Sequence, residues 1–132
     1  MPQTKPLISV VDDDRSMSRM LQRVITAAGL EVAAFGSAEE FLDSTALSAS
    51  GCLILDMNLP GMSGADLQGH LSDSGREIPI IFISAQADET AKRRVFEAGA
   101  VGFFNKPFSI ESLLVAVLAQ VVGSAPGAVA TG

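Results

Sequence analysis

The chain has 132 residues, enough for one domain, and 48% of them are apolar, which supplies a real core and argues against disorder. A formal net charge of −6 sets the chain against nucleic-acid phosphates and gives it no attraction to anionic membranes. The apolar stretch LLVAVLAQVV is too short to span a bilayer and carries Gln120, the N-terminus does not read as a signal peptide, and the single Cys52 cannot close an internal disulfide, as expected of a reducing cytoplasm.

Residues 1–6 are a polar lead-in containing prolines. LISVV (7–11) predicts a strand, and its lack of in/out alternation predicts a sheet covered on both faces. Residues 15–28 place Met17, Met20, Leu21, Val24, Ile25 and Ala28 at helical spacing, with Asp14 as N-cap and Gly29 as stop. EVAAF (31–35) predicts a second strand, and SAEEFLDS a second helix whose Ser37 and Glu40 fit a capping box. CLILDM (52–57) is a third strand, NLPGMSG a loop by its Pro and Gly content, and 64–73 a helix that turns Leu67 and Leu71 inward. IPIIFISA (78–85) is a fourth strand, 87–98 a helix ended by Gly99, and VGFFNK (101–106) a fifth strand. After Pro107, FSIESLLVAVLAQVV predicts a last helix capped by Ser109. GSAPGAVATG (123–132) has no apolar periodicity and reads as a flexible tail or the start of a linker, leaving 7–122 as the folded domain.

Strand then helix, five times with short loops, predicts an α/β fold. It is a doubly wound five-stranded parallel sheet with helices on both faces, because right-handed crossovers leave few other solutions. In such folds ligands bind outside the carboxyl ends of the strands. There the sequence places Asp12 and Asp13 after the first strand, Asp56 at the third, Ser84 at the fourth and Lys106 at the fifth. Carboxylates crowded in one crevice call for a compensating cation, and oxygen-only ligands select a hard divalent ion such as Mg²⁺. Lys106 adds a point charge suited to a carboxylate or phosphoryl group, and Ser84 a hydroxyl that can donate to a phosphate oxygen. An aspartate in this company can accept a phosphoryl group as an acyl phosphate, and composition does not choose which aspartate reacts.

VVDDD, LILDMNLPGMSG, IIFISA and AGAVGFFNKPF together resemble the signature segments of the response-regulator receiver domain of bacterial two-component systems, in order, over roughly residues 6–122. The DDDR, SAEEFL and KPF segments are similar to receivers joined to helix-turn-helix outputs of the nitrogen-fixation and quorum-sensing regulator type. The resemblance implies a flavodoxin-like strand order 2-1-3-4-5. It also implies Asp56 as phosphoacceptor and Mg²⁺, or Mn²⁺, held by Asp12, Asp13, Asp56 and the backbone carbonyl of Asn58. Lys106 and Ser84 would bind the phosphoryl group, and Ser84 and Phe103 would act as the switch pair. Asn58 and Gln86, each two positions beyond a site residue, would tune phosphoryl lifetime, and the Lys106–Pro107 peptide would be cis. Phe103 and Phe104 point to opposite sheet faces, so Phe104 is left to core packing. The implied partners are a sensor histidine kinase or phosphotransfer protein, and a second copy through the fourth helix, fifth strand and fifth helix. The implied location is the cytoplasm. The chain would be a regulatory phosphoacceptor, not an enzyme.

Blander readings stand beside these. Asp14 is a helix cap, Cys52 a small buried hydrophobe, His70 a surface residue, DETAKRR (88–94) a solvated helix face, and Met17, Met20, Met57 and Met62 packing groups. One rival is a haloacid-dehalogenase-type phosphatase, imitated by Asp12-x-Asp14, Ser84 and Lys106, with Asp12 as nucleophile and without the further acidic pair that family needs. A flavodoxin-like electron carrier lacks its hydroxyl-rich phosphate loop and any Trp or Tyr to flank a flavin. A degenerate receiver that only binds partners is disfavoured by the complete acidic and lysine set.

Overall fold

The computed structural model describes residues 6–86 and 88–121. Along them run β1 (Leu7–Val11), α1 (Arg15–Ala27), β2 (Glu31–Phe35), α2 (Ala38–Leu42), α3 (Ala46–Ala49), β3 (Ser50–Asp56), α4 (Gly64–Asp73), β4 (Ile80–Ser84), α5 (Glu89–Glu97), β5 (Gly102–Asn105) and α6 (Ile110–Val121). The strands pair in parallel in the order β2-β1-β3-β4-β5, the doubly wound α/β architecture expected. The tail assigned to 123–132, and the lead-in apart from Pro6, lie outside the described residues.

Continuous apolar strands result from two cores back to back. On one face Val11, Leu53, Leu55 and Phe82 meet Phe41, Leu67, Leu71 and Val95 of α2, α4 and α5. On the other, Ile8, Val10, Ile54, Ile81 and Ile83 meet Leu21, Ile25, Leu113 and Val117 of α1 and α6. Successive strand residues alternate between the cores, so neither face can be polar. Cys52 is fully buried in the second core, and Phe103 and Phe104 divide between the two.

Caps set the helix starts. Asp14 accepts from the Ser16 and Met17 amides, and Gly29 follows α1 at φ +90°, where a side chain would be strained. Ser37 accepts from the Glu40 amide, but the Glu40 carboxylate reaches the Gly36 amide, one residue short of a closed capping box. The box that does close is Ser63 with Asp66, at the start of α4. The four-residue α3 is not among the predicted helices, being too short to show periodicity. β4 starts after Pro79, which has no amide hydrogen to give the ladder. α5 starts at Glu89, capped by Asp88. Residue 87, where that helix was expected to begin, is outside the described residues. No helix among the described residues is long and apolar enough to cross a membrane.

Candidate functional site

Register aligns the carboxyl ends of four strands. Val11 pairs with Leu55, Asp56 with Ile83 and Ser84 with Asn105, so the residues at or just beyond these ends share one edge. Lys106 lies one residue past β5, and its amide continues the ladder to the Ser84 carbonyl at 2.7 Å. Asp12 and Asp56 are buried, at 2% and 4% exposure, while Asp13 is exposed.

The two buried acids are held alike. One oxygen of each accepts from a backbone amide two residues on, Asp14 to Asp12 and Asn58 to Asp56, both at 2.9 Å. The other faces Lys106, whose Nζ lies 3.1 Å from Asp12 Oδ2 and 3.5 Å from Asp56 Oδ2. Oxygens of Asp12, Asp13 and Asp56 all lie within 4.8 Å of one another. Burial pushes the Asp12 carboxyl up to about 6; the Asp14 amide opposes the rise, the Asp56 charge adds to it, and Lys106 opposes it. Burial alone would lower Lys106, but the hydrogen bond and charge of Asp12, then Asp56, hold its ammonium above the usual lysine value. Lys106 thus pairs with two of the three clustered carboxylates. An all-oxygen donor set with an excess of negative charge is one that a hard divalent cation fits.

Ser84, 2% exposed, is engaged elsewhere: its hydroxyl donates to the Gln86 carbonyl at 2.8 Å and accepts from the Gln86 amide and from Asn58 Nδ2 at 3.3 Å. The Gln86 side chain is exposed and makes no hydrogen bond among the described residues. Phe103 packs 6.5 Å from Phe82, centroid to centroid, and Phe104 6.1 Å from Phe108 on the other face. The Lys106–Pro107 peptide is cis. The structure therefore brings Asp12, Asp13, Asp56 and Lys106 together, reaches Ser84 through Asn58, and packs Phe103 against Phe82.

Two supports escaped sequence reading. A Cβ on Gly64 would stand 2.5 Å from the Asp56 carbonyl oxygen, so only glycine lets α4 begin this close to the end of β3. Glu39 of α2 accepts from the Met62 amide at 3.1 Å and pins the loop after Asp56. The first has a faint sequence signal, a glycine directly after a Ser cap; the second has none. Beside the acids, a groove of about 480 Å³ is lined by Asp12, Asp13, Arg15, Arg19, Phe35 and Glu40, among others. A similar groove between the C-terminal ends of α4 and α5 holds no acidic cluster.

Residues 8–118 match the family model described as the response regulator receiver domain. Nodulation protein W of Bradyrhizobium diazoefficiens is 47% identical over 116 residues, 88% of this chain and 51% of that protein. Response regulator protein TodT of Pseudomonas putida is 45% identical over 113 residues, 86% of this chain and 50% of that protein. The solved structure of the response regulator StyR superposes with a TM-score of 0.83 at 41% identity, over 90% of this chain and 60% of that one. The chain spans about half the length of the curated relatives it matches. With the sheet order, the acidic triad and the family match in agreement, the chain belongs to the response regulator receiver domains, regulatory phosphoacceptors rather than conventional enzymes.

Proposed function

We propose that Asp56 is the phosphoacceptor of a two-component response regulator, charged by the phosphohistidine of a sensor histidine kinase or phosphotransfer protein in the cytoplasm. The observation that carries this reading is the position of Asp56: a strand-end carboxylate with one oxygen fixed by the Asn58 amide and the other 3.5 Å from Lys106 Nζ, inside the triad. An Asp56 oxygen attacks phosphorus, the P–N bond breaks, and the donor imidazole keeps the electron pair. Lys106 balances the growing charge on the phosphoryl oxygens. Asp12, Asp13, Asp56 and the Asn58 backbone carbonyl would hold Mg²⁺, or Mn²⁺, which supplies further charge neutralisation when bound.

After transfer, the Ser84 hydroxyl leaves the Gln86 carbonyl to donate to the phosphoryl group, and Phe103 moves inward behind it. The side chains of Asn58 and Gln86 then overlook the phosphoryl group and set its lifetime. The surface that changes is α5, β5 and α6, the fourth helix, fifth strand and fifth helix of the sequence count, since α3 adds one to the numbering. A second copy or an output domain would read it. The longer relatives TdiR of Thauera aromatica and FixJ of Azorhizobium caulinodans are described as transcriptional regulatory proteins, and a transcriptional output is proposed by that likeness. This segment itself contacts neither nucleic acid nor membrane.

Incubation with acetyl phosphate and Mg²⁺, followed by intact mass spectrometry, tests the assignment. The wild type gains one phosphoryl group and Asp56→Asn gains none. Labelling of Asp12 instead supports the phosphatase reading, and an unlabelled wild type supports a degenerate receiver.

A further inference from the structure

Phe103 has a neighbour that the reading above does not use. Lys92 of α5 places its ammonium 5.8 Å from the centroid of the Phe103 ring. Among the described residues Lys92 has no carboxylate within ion-pairing distance; the ion pairs there are those of Lys106. Lys92 is half-buried, whereas Arg93 and Arg94 beside it are exposed. α5 is lightly attached: Val95, one turn beyond Lys92, is its one buried residue, and the Val95 carbonyl accepts from Gln68 Nε2 at 2.9 Å. The face of an aromatic ring is negative and attracts a cation within about 6 Å.

We propose that Lys92 is a positioning residue for the switch: its ammonium holds the Phe103 ring where it lies and opposes the ring's inward movement on phosphorylation of Asp56. The proposal rests on the reading of Phe103 as the residue that moves. A contact biases a two-state balance only by its difference between the states, and this one is made in the present state and lost when the ring leaves α5. Linkage runs both ways, so removing the cation favours the moved state and eases acquisition of the phosphoryl group.

The test uses Lys92→Met, which keeps the apolar stem, and Lys92→Arg, which keeps the cation. It follows acetyl-phosphate labelling of Asp56 and the ¹⁹F resonance of 4-fluorophenylalanine incorporated at position 103. Lys92→Met is expected to label roughly two- to fivefold faster. Its unphosphorylated resonance should move toward the phosphorylated position, while Lys92→Arg stays with the wild type in both readouts. Wild-type behaviour of Lys92→Met, or Lys92→Arg behaving as Lys92→Met does, overturns the role of the charge. A wild-type resonance unmoved by phosphorylation overturns the underlying reading of Phe103 instead, and the two failures are told apart by which protein shows them.

Discussion

At the scale of single residues, chemistry here follows burial as much as identity. Cys52 shows the rule in its simplest form. It is fully buried in the first half of β3, and burial pushes its thiol up to about 12, with the Leu53 amide opposing. Since the thiolate is the nucleophile, the native chain should leave Ellman's reagent unreacted at pH 8, while the chain in 6 M guanidinium releases one equivalent for its one cysteine. Fast native labelling would contradict the core placement. The same rule separates three adjacent aspartates: Asp12 is buried against Lys106, Asp13 is exposed at the pocket's rim, and Asp14 caps α1. Asp12, Asp13, Asp56, Ser84 and Lys106 were legible as strand-end residues, because a parallel sheet delivers such positions to one edge. Hydrogen-bond partners were not legible. That the Ser84 hydroxyl is spent on the Gln86 carbonyl, or that Lys92 covers Phe103, depends on side-chain directions that no one-dimensional pattern records.

At the scale of elements, α4 allows a test in which one substitution has opposite signs at two places. Gly64, its first residue, abuts the Asp56 carbonyl, and an added methyl must move backbone. Gly69, inside the same helix, has nothing within 4 Å of the added atom. Gly64→Ala is expected to lower unfolding stability by about 1–3 kcal/mol. Because it displaces the strand end, it should also slow acetyl-phosphate labelling. Gly69→Ala is expected to raise stability by about 0.5–1 kcal/mol and leave labelling alone. Urea unfolding with a labelling time course measures both, and equal effects of the two substitutions would refute the close approach. The sequence placed α4 near 64–73, since Leu67 and Leu71 stand at helical spacing after a Pro- and Gly-rich loop. It did not show why position 64 is glycine, because close approach is a property of two segments in space. α3 escaped for a different reason: four residues are too few to carry a period.

At the scale of the whole molecule, the site works against the fold that holds it. The Asp12 carboxyl keeps its proton up to about pH 6 in the folded chain, against an ordinary 3.8. Between those values the folded state binds more protons than the unfolded one, so this group's contribution to stability is full below about pH 4, falls as pH rises toward 6, and is absent above. At neutral pH the folded chain therefore confines a charged Asp12 that burial disfavours, with one lysine to offset the triad. A divalent cation relieves that confinement, and protons compete with it for the same oxygens. Mg²⁺ at ten times its dissociation constant should stabilise the fold by about 1.4 kcal/mol. The gain should be larger at pH 7.5 than at pH 5.0. Asp12→Asn keeps an acceptor for the Asp14 amide and discards the charge. It should be more stable than the wild type at pH 7.5 without metal, lose most of the Mg²⁺ effect, and show a smaller fall in stability between pH 4 and 6. Other carboxylates contribute to both proteins, so the difference between the two pH profiles isolates Asp12. Urea unfolding at pH 4.0, 5.0, 6.0 and 7.5 with and without 10 mM MgCl₂ decides the matter. A variant that is less stable than the wild type without metal at pH 7.5 would mean that the Lys106 pair outweighs the burial of Asp12, and that the site is not held at the expense of the fold.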